Sequence, residues 1–193
     1  MLGHPVYPSN LVQHVNLQAM LEQALGIVLR EKDVLEAAAK EIGANPLLAR
    51  VGAYYHDIGK MLNPKFFVEN QFNAENPHDV LEPRESSKLI MNHVRRGLTI
   101  GQEAGLPQVV VDLILQHHGT QLIEYFYNIA AKSYPNSTIH EEDFSYPGPK
   151  PQSVEAALLM VCDAVEAASR SLLDPNRKEF KKMVNSPGVK IFK

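Results

Sequence analysis

Helical periodicity, with almost no run of alternating β-branched residues to oppose it, confines this chain to a mainly α fold. Apolar residues recur at intervals of three and four, and glycine and proline cut the pattern into segments. Residues 11–25 and 31–42 read as amphipathic helices, the second rich in Ala and Glu and closed by Gly43. Asn45-Pro46 opens another, because Asn caps a helix well and Pro fits its first turn. On that helix Leu47, Leu48, Val51 and Tyr55 should face a core, with the end near Ile58 and Gly59 as the stop. Residues 64–83 have no clean period and contain Asn76-Pro77-His78, so they read as a long surface loop of the kind that often carries function.

Pro83 starts a helix through Ser86, Leu89, Ile90 and His93 to about Ala104, stopped by Gly105. The next begins at Pro107 and ends at Gly119. Residues 121–132 place Leu122, Tyr125, Phe126 and Ile129 on one apolar face. A second irregular stretch, 133–152, holds four prolines, and residues 153–173 then form a buried-type helix containing Cys162 and Asp163. The tail beyond Pro175 is basic. No internal repeat or low-complexity tract is present.

A chain of 193 residues, 45% of them apolar, suffices for one sizeable core and is too short for two ordinary domains with linkers. With 19 Lys+Arg against 22 Asp+Glu the formal charge is -3, so no global basic field exists to hold a DNA or RNA polymer. The single cysteine, Cys162, excludes an intrachain disulfide framework and a zinc site of several thiolates, and fits a reducing, cytoplasmic setting. No apolar run reaches the roughly 18–20 residues that span a bilayer, and residues 1–10 lack the basic start of a signal peptide. A soluble chain without membrane contact is expected, any membrane segments of a parent protein lying outside it.

Five of the eight histidines fall between positions 56 and 118. His56-Asp57 sits near the end of an apolar helix, where a buried aspartate costs several kcal/mol unless it is paired or bound to a cation. Neighbouring helical residues project about 100° apart, so both can ligate one site only where the helix ends, which Gly59 allows. Lys60 then brings an ammonium suited to an anionic substrate. His117-His118 repeats the design before Gly119. His93, mid-helix, reads alone as a core histidine satisfied by a carbonyl, and Asp163 alone as a cap or salt-bridge partner. Taken together, imidazoles and carboxylates without thiolates suit a borderline cation such as Fe, Mn, Zn, Ni or Co. An aspartate can bridge two such ions roughly 3.5–4 Å apart, an arrangement that holds a phosphoryl group, and Asp57 is the natural bridge.

His56-Asp57-Ile58-Gly59-Lys60 resembles the signature of the HD superfamily of metal-dependent phosphohydrolases, with His93, His117-His118 and Asp163 in the order of its dinuclear members. Residues 52–60, Phe67-Val68-Glu69-Asn70-Gln71, Asn76-Pro77-His78-Asp79, Gln116-His117-His118-Gly119-Thr120 and residues 143–151 are similar to the cytoplasmic HD domain of seven-transmembrane HD phosphodiesterases that hydrolyse cyclic di-AMP. The resemblance implies an all-α, single-domain helical bundle with two long irregular loops: a divergent segment 1–36, the HD domain over 37–175 and a tail 176–193. It implies two divalent transition-metal ions, Fe or Mn ahead of Zn, Ni or Co. One would be held by His56, Asp57 and Asp163, the other by Asp57, His93, His117 and His118. Asp57 and Lys60 would be catalytic, Lys60 neutralising the phosphate, and His78 would line the substrate side or remain an exposed loop residue. Arg170, on the Asp163 face, would reach a phosphate or pair with Glu166. The substrate would be a nucleotide or cyclic dinucleotide, opened by a bridging hydroxide, with a water or His78 protonating the 3′ oxygen.

One position departs from that pattern. The family has a further metal-binding histidine about thirty residues before the His-Asp pair, where this chain has Gly26 and Ile27, neither a ligand. His14, Glu22, Glu31 and Asp33 are candidate replacements; otherwise the first ion has lost a protein ligand and binds more weakly or with added water. That departure motivates a rival, a catalytically impaired domain binding nucleotide and one metal. A second rival is an HD nucleotidase acting on mononucleotides, and a third a purely structural helical module.

Overall fold

The computed structural model describes residues 31–71 and 75–169. The expected helix at 11–25 and the basic tail beyond Pro175, with the residues His14, Glu22 and Arg170, lie outside them, as does the side chain of Glu31. Within them the fold is all-α: α1 Glu31–Glu41, α2 Pro46–Tyr55, α3 Pro83–Glu103, α4 Gln108–Gln116, α5 Glu124–Ser133 and α6 Val154–Ser169. The only extended pairing among the described residues is an isolated antiparallel bridge between Leu122 and Ser145. No described helix is long and apolar enough to cross a membrane.

Two apolar clusters organise the bundle. In the first, Leu35, Ala38 and Ala39 of α1, Ala49 of α2, Leu113 of α4 and Leu158, Leu159 and Cys162 of α6 pack together. In the second, Phe126 and Ala130 of α5 meet Phe144, with Ile90 of α3 packed against them. The helix starts follow the sequence: Asn45 Oδ1 accepts from the Leu48 amide at 3.1 Å and Pro46 occupies the first turn of α2. Gly43 and Gly105 adopt the left-handed backbone expected of helix stops.

The buried face of α2 differs from the expected one. Leu47 is 69% exposed and Tyr55 is exposed as well, while Ala49 and Gly52 are buried. A Cβ on Gly52 would lie 2.7 Å from Leu113 Cδ1, so small residues face the core because α2 and α4 approach closely. The same correction applies to α5, where Phe126 is buried but Tyr125 is 65% exposed. That helix starts at Glu124 because the preceding residues pair with the 144–146 strand-like segment: Ile123 N–H donates to Phe144 O and Tyr146 N–H to Gln121 O. The segment 64–83, expected as a long surface loop without a clean period, contains among its described residues three short 3-10 turns, Pro64–Phe66, Val68–Asn70 and Pro77–Val80.

Candidate metal centre

The His-Asp pair lies where a helix changes pitch. α2 ends at Tyr55, three residues before the expected end, and the chain continues into a 3-10 turn, Ile58–Leu62. Gly59 has another role than freeing the backbone. It lies inside that turn, and a Cβ there would fall 1.9 Å from His93 O and 2.5 Å from Gly97 N. Only glycine lets the turn press onto the α3 backbone, and this approach sets Asp57 beside His93. Gly97 continues the seam, its own Cβ position being 2.8 Å from Ile114 Cγ2 of α4.

Three histidines are oriented in one way. His56 Nδ1–H donates to Ala53 O (3.2 Å), His93 Nδ1–H to Ile90 O and His117 Nδ1–H to Ile114 O (both 2.7 Å). A carbonyl can only accept, so each ring carries a proton on Nδ1 and, in its neutral form, turns an Nε2 lone pair inward. All three are buried. Carbonyls that hold the far ring nitrogen in this way fix the tautomer and orientation of histidines in metal sites. His93 Nε2 lies 3.2 Å from His117 Nε2, 3.3 Å separates His93 Nε2 from Asp57 Oδ1, and 3.7 Å separates His117 Nε2 from the same oxygen. Asp57 Oδ2 is 3.3 Å from His56 Nε2, and Asp163 Oδ1 is 3.9 Å from that nitrogen. His118 Nδ1 faces Asp163 Oδ2 at 3.5 Å.

The donor atoms fall into two groups, Asp57, His93, His117 and His118, and His56, Asp57 and Asp163, each with its atoms within 4.8 Å of one another. Asp57 is common to both. These are the two sets that the sequence resemblance implies. The arrangement suits cations: two imidazole lone pairs face each other at 3.2 Å with their protons committed elsewhere, and the buried Asp57 Oδ1 makes no hydrogen bond. Asp33, one candidate replacement for the absent histidine, is 3.3 Å from Arg50 and belongs to neither group.

Electrostatics follow the same geometry. Burial pushes the Asp57 carboxyl up, but His56, His93 and Lys60 outweigh it and hold the group well below the usual carboxylate range. Burial, with neighbouring imidazoles, drives His117 and His118 well below the ordinary histidine value, which keeps both imidazoles neutral with a lone pair available. Burial, aided by Asp57, raises Asp163 against the pull of His56. Lys60 Nζ sits 2.6 Å from Asp57 Oδ2 and 2.7 Å from Glu69 Oε1; burial lowers its affinity for the proton, and the two carboxylates more than restore it. Its ammonium lies over the Phe67 ring at 5.0 Å, and that ring in turn meets His93 edge to face.

His78 is neither exposed nor directed at the donor groups by any contact it makes. Its Nε2–H donates to Phe66 O at 2.9 Å, and its ring packs between Phe66 and Phe126. Three residues that stand in the segments carrying the resemblance, but receive no site role from the sequence, adjoin the centre: Phe67, Glu69 and Tyr146. All lie in the irregular segments flanking the histidine motifs, where an acid or aromatic carries no periodic signal.

The HD domain family model matches residues 28–168. The chain is 50% identical over 149 residues to the cyclic-di-AMP phosphodiesterase PgpH of Bacillus subtilis, a match covering 77% of this chain and 21% of that protein. It is 46% identical over 153 residues to PgpH of Listeria monocytogenes, covering 79% and 21%. The chain thus spans about a fifth of the length of these curated relatives. Among solved structures it is similar to the HD domain of L. monocytogenes PgpH in complex with cyclic-di-AMP, at a TM-score of 0.76 and 40% identity, covering 89% of this chain and 80% of that one. With the family model spanning most of its length and the fold matching as well, the chain belongs to the HD domain family.

Proposed function

We propose that this chain is the catalytic domain of a metal-dependent phosphodiesterase that opens cyclic di-AMP to the linear dinucleotide, acting in the cytoplasm. The observation that carries the reading is the sharing of Asp57 by two donor groups, with Lys60 on the same carboxylate. Relatives at 50% and 46% identity that carry this activity support the choice of substrate.

Two divalent cations, when bound, supply Lewis acidity toward the phosphate and a nucleophile from water at neutral pH. The chain's own residues do the rest. His56, Asp57 and Asp163 would hold one ion, and Asp57, His93, His117 and His118 the other. Neutral imidazoles and an ionised Asp57 bind cations without first releasing protons at pH 7. Lys60, held between Asp57 and Glu69, presents its charge to the nonbridging phosphate oxygens. His78 anchors the loop that carries Phe66 and Phe67, and Arg170, outside the described residues, would reach a substrate phosphate or pair with Glu166.

The test is chromatography of products after incubating the purified chain with Mn²⁺ and cyclic di-AMP. A 5′-phosphorylated linear dinucleotide is expected, and Asp57→Ala should abolish both turnover and most bound metal. Retained turnover in that variant would remove the bridging claim. The absence of a histidine at Gly26 and Ile27 favours one second reading, a domain that binds nucleotide and a single ion without cleavage. One ion per chain with intact cyclic di-AMP would select it, and turnover of mononucleotides alone would select a nucleotidase.

A further inference from the structure

His118 differs from the other three histidines of the centre. His56, His93 and His117 each have a ring nitrogen held by a backbone carbonyl one turn earlier, whereas His118 lacks that anchor and faces Asp163 beyond hydrogen-bonding distance. The neighbouring His117 ring lies 4.1 Å away but tilted by 43°, so the contact aligned with the His118 plane is another one. The Tyr146 ring lies nearly parallel to the His118 imidazole, centroids 4.2 Å apart and planes inclined by 24°. The same ring meets His93 at 6.1 Å in an edge-to-face arrangement. Both imidazoles belong to the four-residue donor group and neither to the group of His56, Asp57 and Asp163.

Tyr146 is itself fixed. It is 8% exposed, its amide donates to Gln121 O at 2.9 Å, and Ile123 N–H donates to Phe144 O at 2.8 Å on the other side of the bridge. Phe144 is buried in the second apolar cluster. The segment bearing the tyrosine is therefore fastened to the residues that directly follow His117 and His118, and a rigid ring is presented to the least anchored ligand.

We infer that Tyr146 is a positioning residue for one ion of the pair: its ring sets the plane of His118 in place of the missing backbone anchor, and its edge contact braces His93, whose ring Ile90 O already holds. The inference rests on the dinuclear reading proposed above. It predicts an unequal effect on the two ions, which loss of general packing would not give.

Calorimetric titration of the chelator-treated full chain with Mn²⁺ tests it, using Tyr146→Phe and Tyr146→Leu. The unsubstituted chain should take up two ions, and Tyr146→Phe, which keeps the ring, should match it. Tyr146→Leu should weaken one ion by about 10–100-fold, the usual cost of removing a group that holds a metal ligand in place, and leave the other unchanged. Two unaltered affinities in Tyr146→Leu, equal weakening of both ions, or a Phe variant as weak as the Leu variant would each overturn the inference. Fewer than two ions in the unsubstituted chain would instead defeat the dinuclear reading itself. A measurement without substitution at Tyr146 covers a Leu variant that does not fold. In the Zn²⁺-loaded protein the imidazole protons of His118, identified by their loss in His118→Gln, should be displaced upfield by the tyrosine ring current; ordinary histidine shifts would contradict the stacked geometry.

Discussion

At the scale of single residues, the centre depends on keeping imidazoles neutral and one carboxylate ionised inside the protein. Burial first, then neighbouring imidazoles, push His117 and His118 well below the ordinary value of 6.5. In the metal-free protein the unfolded chain therefore takes up protons near pH 6.5 that the folded chain refuses, so stability falls as pH drops through that value. Asp57 is depressed, so its contribution is present above the usual carboxylate value near 3.8 and is lost only at lower pH. Asp163 is raised and acts with the opposite sign, binding its proton earlier in the folded state than in the unfolded one. Thermal unfolding in the presence of chelator should show a lower midpoint at pH 5.5 than at pH 7.5, with a smaller difference in His118→Gln. A midpoint that rises on acidification, or a slope unchanged by the substitution, would contradict these assignments.

At the scale of elements, convergence of the site depends on backbone proximity more than on side-chain bulk. The 3-10 turn after α2 lies so close to α3 that a methyl on Gly59 would overlap His93 O. Gly59→Ala should cost about 1–3 kcal/mol, typical of overpacking, and loosen metal binding through displacement of Asp57 and His93. Urea unfolding with metal counting checks this; an unchanged midpoint would show that the turn yields freely. The helices themselves were legible from periodicity and from Asn45-Pro46, Gly43 and Gly105, because caps and stops act locally. The buried face of α2 was not, because Ala49 and Gly52 look indifferent until Leu113 of another helix is known to press on them. The donors were legible for a related reason: a buried His-Asp pair needs a charge whatever surrounds it. Glu69 and Tyr146 escaped, since their roles depend on tertiary contacts with Lys60 and His118 made from irregular segments.

At the scale of the whole molecule, helices α3 and α6 and the residues that directly follow α2 and α4 each deliver part of one charge cluster, so cations bound there would tie together helices from both apolar clusters. Ligands that bind only the folded state stabilise it by mass action, by about 2.7 kcal/mol per site at a hundredfold excess over Kd. Adding Mn²⁺ to chelator-treated protein should raise the unfolding midpoint, excess chelator should reverse the rise, and Asp57→Ala should blunt it. An equal rise in that variant would place the ions elsewhere. The most direct measurement is anomalous diffraction at the manganese edge from crystals of the Mn²⁺-loaded chain. Two peaks roughly 3.5–4 Å apart are predicted, one on each side of the Asp57 carboxylate. A single peak, or peaks that do not touch Asp57, would contradict the shared-carboxylate centre.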